Sequence, residues 1–212
     1  MSLNIILAST SPYRLQLLRD IGLEVQAEGS LVDEKSIVAD TPVHTAIARA
    51  KAKAFDVYAR FPHSIVIGAD QVCYLQNDIM GKPESEAQWL SRLQQMREQP
   101  HYLSTAVVLC YPSRYSIPSM PSEAIPENHR CFVETTKVFF RRDLSDDVLR
   151  QYVQIGEAKN CAGGYMMEKQ GAWLIEKIEG DWQNVIGLPI FPLTKHLREL
   201  GIPFFHGGCN GN

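Results

Sequence analysis

The chain has 212 residues, of which 45% are hydrophobic, so it is long enough to bury a core without disulfide or metal staples. Its net charge of -3 and its pI near 6.1 disfavour nucleic acid and anionic membranes as partners, because both need concentrated positive charge. The five cysteines include no C-x-x-C pair, and no stretch approaches the roughly 18 apolar residues of a membrane span or resembles a secretory leader. We therefore expect a cytoplasmic protein.

Apolar runs and helix signals alternate along the first part of the chain. A buried strand at 3–8 leads into a helix that Ser11 caps and Pro12 starts. We then expect a short strand at 24–27 and a polar loop at 32–35. An alanine-rich helix follows from Thr41 to about residue 60. The next buried strand, at 64–75, turns into a short continuation at 79–80.

The second part of the chain repeats this alternation. The predicted elements are a helix at 84–97, a strand at 102–111, a strand at 129–141, a capped helix at 145–153, a glycine-broken segment at 161–181 and a last helix at 188–200. The prolines and serines of 112–128 predict an irregular loop, and 206–212 reads as a disordered tail. The pattern predicts an α/β fold with a mixed twisted sheet and flanking helices.

The turn after the first strand is rich in hydrogen-bond donors. Ser9, Thr10 and Arg14 surround the start of a helix, where free backbone amides and the positive end of the helix dipole favour an anion. The turn therefore fits a phosphate site. Ordinary helix capping by serine and proline explains the same residues, and the turn alone does not separate the two interpretations.

Four charged residues lie at the ends of apolar elements or on their polar faces, and each has an ordinary explanation. Asp70 closes the apolar run "VIGA", where α/β proteins place ligand-facing groups, but it could also cap a turn. Lys53 fits a solvated helix face, Lys82 a plain Gly-Lys-Pro turn, and Glu34 a polar loop. No single residue decides the function.

The order of the motifs is more specific than any residue. The chain contains, in sequence, "LASTSPYR", "VDE", a helical "KA", "IGADQV", "GKP", "CAGGY" and "EGDWQNVIGLP". Over residues 5–200 this order resembles the Maf family of nucleotide pyrophosphatases. The resemblance implies one domain at 1–205 with two lobes around a cleft, similar to inosine-triphosphate pyrophosphatases. It also implies hydrolysis of a nucleoside triphosphate to the monophosphate and pyrophosphate. The 112–128 loop is longer than the family usually shows.

The resemblance also implies roles for individual positions. Asp70 would accept a proton from the attacking water, and Glu34 would join Asp70 in holding Mg²⁺ or Mn²⁺, the ions that carboxylate and phosphate oxygens select. Lys53 and Lys82 would neutralise phosphate charge. Ser9, Thr10 and Arg14 would then line the phosphate site. The expected partner is the triphosphate, and a homodimer is left open.

Three positions bear on the choice of base. Tyr13, Gln71 and Glu168 resemble the branch of the family that acts on 7-methyl-GTP, whose cationic base prefers an aromatic face and offers donors to a carboxylate. The alternatives are a dTTP/UTP pyrophosphatase of the same family and a nucleotide-binding regulator of septum formation. The chain has neither a P-loop nor a G-x-G-x-x-G motif, which disfavours kinase-type and dinucleotide-binding functions.

Overall fold

The computed structural model describes residues 4–112 and 129–202, which form a seven-stranded mixed sheet flanked by helices. The strands are β1 (Ile5–Ala8), β2 (Val25–Ala27), β3 (Ile65–Leu75), β4 (Asp78–Met80), β5 (His101–Cys110), β6 (His129–Phe140) and β7 (Ile175–Glu179). The helices are α1 (Pro12–Asp20), α2 (Pro42–Arg60), α3 (Glu86–Glu98), α4 (Asp146–Ile155), α5 (Trp182–Ile186) and α6 (Ile190–Glu199). The predicted α/β class with a mixed sheet is confirmed.

The sheet has the order β2-β1-β3-β5-β6-β7, and β4 pairs with β3 outside this path. β1 runs parallel to β2 and β3, as expected when helices α1 and α2 connect the three strands. The pairs of β3 with β4 and β5, of β5 with β6, and of β6 with β7 are antiparallel. The long strands β3 and β5 therefore lie in the middle of the sheet.

Buried apolar side chains form three clusters, and both central strands contribute to all of them. One cluster joins Ile65 and Ile67 of β3 to helices α1 and α6. Val66 and Val72, from the opposite face of the strand, pack under the alanines of α2. A third cluster joins Cys73 and nearby residues of the sheet to helices α3 and α4.

Helix α2 packs unusually close to the sheet. A Cβ added at Gly68 of β3 would lie 2.5 Å from the Cβ of Ala54 and 2.8 Å from the backbone oxygen of Ala50. The absence of a side chain at Gly68 and the small side chains of α2 permit this approach. The alanines that predicted a helix from their propensity thus also set the distance between α2 and β3.

Caps confirm the predicted starts of α1, α2 and α4, and α3 begins at Glu86 after the cap Ser85, not at the predicted residue 84. The side chains of Ser11, Thr41, Ser85 and Ser145 each accept a hydrogen bond from the backbone N–H three residues further on. No helix in the described part of the chain is both long enough and apolar enough to cross a membrane.

The segment at 161–181 contains more structure than its glycines predict. It folds as two 3₁₀ turns, Ala162–Gly164 and Gln170–Leu174, followed by the edge strand β7, and α5 begins directly after it. Strand β7 and helix α5 have five residues each, too few to establish a period in the sequence. Residues 113–128 of the predicted loop and the predicted tail at 206–212 lie outside the described residues, and the two-lobed domain at 1–205 stays a prediction.

Candidate active site

Asp70 lies in the middle of β3, at the point where the strand changes neighbours. On one side of β3, β1 pairs with Ile65–Gly68 and β4 with Cys73–Leu75. Residues 69–72 have no strand partner on that side within the described ranges. The interpretation of Asp70 as a residue at the end of an apolar strand is wrong, because β3 continues to Leu75, the end predicted for the strand at 64–75, and only the pairing with β1 ends. The carboxylate thus lies beside a gap in the sheet.

Lys53 lies between two carboxylates. It is 4% exposed on α2, and its Nζ is 3.2 Å from Oδ1 of Asp70 and 3.1 Å from Oε1 of Glu34. Glu34 is exposed in a 3₁₀ turn whose start is capped by Asp33. The structure rules out the interpretation of Lys53 as a solvated surface residue. It also joins three of the predicted site residues into one charged cluster.

The two carboxyl groups of this cluster differ in their electrostatics. Burial raises the pKa of Asp70 above its ordinary value, and the positive charges of Lys53 and Arg14 offset only part of that effect. Oδ2 of Asp70 is buried without a hydrogen-bond partner in the described structure. Burial would also raise the pKa of Glu34, but the attraction of Lys53 and Arg14 outweighs it and the net pKa is lowered. Asp70 is thus the carboxyl group more readily protonated.

Arg14 ties the β1–α1 turn to the rest of the site. Its Nε donates to the carbonyl of Gly187 at 2.9 Å, and its Nη1 donates to the carbonyl of Ala69 at 2.9 Å and to Oγ of Ser9 at 3.4 Å. Ala69 belongs to the stretch of β3 that, within the described ranges, has no strand partner on the β1 side, and Arg14 donates to its carbonyl there. Nη2 makes no hydrogen bond to the described residues, so one edge of the guanidinium is left for an anion.

These residues line one cavity of about 570 Å³. All ten positions singled out from the sequence are on its wall: Ser9, Thr10, Tyr13, Arg14, Glu34, Lys53, Asp70, Gln71, Lys82 and Glu168. The structure therefore brings together residues that lie up to 159 positions apart in the chain, from Ser9 to Glu168. Their individual roles stay predictions.

Lys82 reaches the cavity from the turn after β4. It is exposed, and the carbonyl of the preceding Gly81 accepts a hydrogen bond from Nη1 of Arg92 on α3 at 2.6 Å. The turn is thus held by its backbone and leaves the ammonium group of Lys82 outside the packed core. This placement is compatible with contact to a charged ligand.

The three residues assigned to base choice differ in their surroundings. Tyr13 is half-buried and its hydroxyl lies 3.8 Å from Sδ of Met166, while Glu168 is exposed. The side-chain amide of Gln71 donates to the backbone carbonyl of Asn184 and to Oγ1 of Thr105. Gln71 therefore links β3 to β5 and α5, whereas Tyr13 and Glu168 keep surface available to a ligand.

The sequence did not identify a second set of cavity residues. The wall also includes Leu103, Glu157, Asn160, Cys161, Ala162, Tyr165, Met166, Val185, Ile186 and Gly187. Most of them belong to the "CAGGY" and "EGDWQNVIGLP" motifs, which could have marked them by position. Glu157 and Asn160 precede these motifs, and nothing in their local sequence distinguishes them from surface polarity.

The site fits a divalent cation only in part. Glu34 and Asp70 offer hard carboxylate oxygens, and the unpartnered Oδ2 of Asp70 is one donor in need of a partner. Within residues 4–112 and 129–202, no group of three or more His, Cys, Asp or Glu could hold a metal ion. Phosphate oxygens or water would have to complete the coordination of Mg²⁺ or Mn²⁺.

Comparison with known proteins gives one family, and the relatives found are named for different substrates. The profile of the Maf-like protein family matches residues 4–200. A dTTP/UTP pyrophosphatase of Geobacillus sp. (strain WCH70) is 35% identical over 93% of this chain and 98% of its own. A 7-methyl-GTP pyrophosphatase of Rhizobium etli is 36% identical over 95% of this chain and 98% of its own. A solved HAM1 protein from Coxiella burnetii aligns with 93% of this chain and 100% of its own, at 16% identity and a TM-score of 0.49.

Proposed function

Since this chain belongs to the Maf-like protein family and is a nucleoside triphosphate pyrophosphatase, we propose that its preferred substrate is 7-methyl-GTP. The products are then 7-methyl-GMP and pyrophosphate. The proposal divides the cavity into an end that holds the phosphates and an end that holds the base.

The phosphate end is the cluster around Lys53. Water attacks the α-phosphorus, the bond from the α-phosphorus to the oxygen that bridges to the β-phosphorus breaks, and pyrophosphate leaves with that oxygen. Asp70 takes the proton of the water, a role supported by its buried Oδ2 without a partner and by its raised pKa. Lys53, Lys82 and the free edge of Arg14 offset the charge of the triphosphate.

Glu34 and Asp70 are the residues that would hold Mg²⁺ or Mn²⁺ at this end. When bound, the ion would neutralise phosphate charge and favour attack at phosphorus. Chelation by EDTA is expected to abolish pyrophosphate release, and addition of excess Mg²⁺ or Mn²⁺ to restore it. Undiminished activity in EDTA would remove the metal from the proposal.

One observation carries the choice of base: the ring of Tyr13 and the carboxylate of Glu168 lie on the wall of the same cavity as the charged cluster. N7-methylation makes guanine cationic, and a flat cation is attracted to an aromatic face. Nζ of Lys169 lies 6.0 Å from the Tyr13 ring centroid, so a cation can reach the neighbourhood of this ring. Glu168 can accept hydrogen bonds from the N1 and N2 donors of guanine.

Steady-state kinetics with 7-methyl-GTP, GTP, dTTP and UTP test this proposal. Stacking on a cation contributes roughly 1 to 2 kcal/mol, so kcat/KM for 7-methyl-GTP should exceed that for GTP by about tenfold. A hydrogen bond to a charged group contributes about 1.5 to 3 kcal/mol and should favour both guanine nucleotides over dTTP and UTP. Tyr13→Ala should reduce the preference for 7-methyl-GTP over GTP, and Glu168→Gln the preference for guanine nucleotides over dTTP and UTP. Glu176→Gln, which changes an exposed glutamate on β7 away from the cavity wall, is the matched control.

Hydrolysis of dTTP or UTP is the second candidate, favoured by the name and the 35% identity of the Geobacillus relative. A wild-type enzyme that prefers dTTP or UTP to 7-methyl-GTP would establish this alternative. The three positions Tyr13, Gln71 and Glu168 would then have been misinterpreted.

A further inference from the structure

Glu168 lies in a short loop, Met166 to Gly171, whose two ends touch. The backbone N–H of Lys169 donates to the carbonyl of Met166 at 3.2 Å, which turns the chain back. A Cβ at Gly171 would lie 2.5 Å from the oxygen and 2.8 Å from the nitrogen of Met166. Only a glycine permits the two backbones to approach this closely. The loop, called the 166–171 loop below, is therefore closed at its base and presents Glu168 between its ends.

Two side chains from the end of α4 and the residues after it hold both ends of this loop. Oε1 of Glu157 accepts hydrogen bonds from the backbone N–H of Gly171 and from the hydroxyl of Tyr152, each at 3.0 Å. The Tyr152 hydroxyl in turn accepts from the backbone N–H of Met166 at 3.1 Å. One carboxylate oxygen thus reaches Gly171 directly and Met166 through a single hydroxyl.

The surroundings make this connection rigid. Tyr152 is 4% exposed, and its ring packs edge to face against Trp89 in the cluster between α3 and α4. Burial raises the pKa of the Tyr152 phenol, so its proton stays available to Glu157. Nε1 of Trp89 also donates to the carbonyl of Gly164 at 2.6 Å, just before the loop. Motion of the loop relative to α4 would break the buried Met166–Tyr152 hydrogen bond and the partly buried Gly171–Glu157 hydrogen bond together.

We infer that Glu157 and Tyr152 are positioning residues for base discrimination, because they fix the 166–171 loop and with it the place of Glu168 in the cavity. The inference rests on the proposed function in that Glu168 contacts the base. It assigns Glu157, which is also on the cavity wall, to the loop rather than to the triphosphate. The two roles predict different kinetics.

Three variants separate them. Tyr152→Phe keeps the ring and removes the hydroxyl, and Glu157→Ala removes the carboxylate. Each variant should raise KM for the triphosphate with the preferred base about tenfold, because one hydrogen bond to a charged group is lost. The kcat for the triphosphate with the poorest base should stay within about twofold of the wild type. Glu157→Gln should keep the discrimination of the wild type, because its amide oxygen can still accept both hydrogen bonds.

Ser145→Ala is the matched control for stability. Ser145 caps α4, so its loss weakens the helix that precedes Glu157 without touching the loop. The ratio of kcat/KM between the best and the poorest base should stay unchanged in this variant, although its thermal midpoint falls. A ratio that falls in Ser145→Ala as it does in Tyr152→Phe would show that stability, not position, controls discrimination.

Other outcomes would also overturn the inference. Equal losses for all bases in Tyr152→Phe, or a Glu157→Gln variant that loses kcat for every substrate, would assign these residues to folding or to the triphosphate. A wild-type enzyme with equal kcat/KM for all bases would also overturn the inference, because no discrimination would be left for these residues to control. If the enzyme prefers dTTP or UTP, the 7-methyl-GTP proposal fails. The ratio of kcat/KM between the best and the poorest base in the Tyr152 and Glu157 variants still tests the role of the loop.

Discussion

Lys53 determines the charge balance of the site. Its ammonium is shared by Asp70, which is as buried as the lysine itself, and by Glu34, whose side chain is 46% exposed. A buried ion pair of this kind adds little net stability, but loss of one partner leaves the other charge buried and uncompensated. The lysine thus keeps two carboxylates close together before any substrate or metal binds.

Lys53→Met should therefore damage both folding and activity. We expect the free energy of unfolding to fall by about 3 kcal/mol, because Asp70 loses its nearest cation. Activity should fall by about 100-fold or more, the usual effect of removing one charged donor from a phosphate site. Lys51→Met, two residues away on the same helix, is the control, since Lys51 does not line the cavity. Equal behaviour of the two variants in thermal unfolding and kinetic assays would contradict this account.

Asp70→Asn tests the proton acceptor. The substitution keeps the size of the side chain and removes its basicity, so kcat should fall by about 100-fold or more. The thermal midpoint should shift far less than activity. Asp78→Asn on β4 changes an exposed carboxylate and should leave kcat unchanged. Wild-type turnover in purified Asp70→Asn would remove this residue from the proposed mechanism.

The contact between helix α2 and strand β3 sets the positions of Lys53 and Asp70. Lys53 precedes Ala54, whose side chain lies against Gly68, and Gly68 is two residues before Asp70 on the same face of the strand. The distance between helix and sheet therefore sets the distance between ammonium and carboxylate. A change at Gly68 should act on catalysis without touching any ligand.

Gly68→Ala should separate α2 from β3. The added Cβ would lie 2.5 Å from Ala54 Cβ and 2.8 Å from the Ala50 oxygen, and backbone atoms cannot move aside as a flexible side chain can. Overpacking of this kind costs about 1–3 kcal/mol of unfolding free energy. Gly81→Ala, where the added Cβ would meet no other described residue within 4 Å apart from its chain neighbours, should change the free energy of unfolding by less than about 0.5 kcal/mol. Chemical denaturation of both variants gives the comparison, and a Gly68→Ala protein as stable as Gly81→Ala would refute the close packing.

Element type and order were predictable because most elements are long and marked at their ends. The caps Ser11, Thr41 and Ser145 marked three helix starts, and long apolar runs marked β3 and β5. Strand β7 was not predicted, because its five residues at the edge of the sheet are too few to show a pattern of alternating apolar residues. The ion pair of Lys53 and the links made by Gln71 and Glu157 depend on long-range packing, which no local pattern encodes.

At the scale of the molecule, the three hydrophobic clusters are not independent. Val107 and Leu109 of β5 belong to the cluster under α1 and α6, Ala106 and Val108 to the one under α2, and Leu103 to the one beside α3 and α4. The buried residues of β3 are distributed over the same three clusters. The site lies where these shared strands pass from one cluster to the next, so its geometry depends on all three.

Unfolding should therefore occur as one transition. If any one cluster unfolds, β3 and β5 lose part of their packing, and apolar surface of the other two clusters becomes exposed to water. Scanning calorimetry should give a calorimetric enthalpy equal to the van't Hoff enthalpy, with fluorescence and far-ultraviolet circular dichroism changing together. Two separated transitions would show that the clusters are independent folding units.

The closed base of the 166–171 loop has a consequence for how such enzymes can diversify. Because Met166 and Gly171 touch, the loop between them can be exchanged for another of different composition without changing the path of the chain on either side. Relatives named for different bases are about equally similar to this chain, at 35% and 36% identity, as expected if few positions separate the substrates. A chimera that replaces residues 167–170 and keeps Glu157, Tyr152 and Gly171 should shift its kcat/KM ratios toward those of the donor, short of the donor's full preference because Tyr13 and Gln71 stay, while retaining the recipient's catalytic machinery.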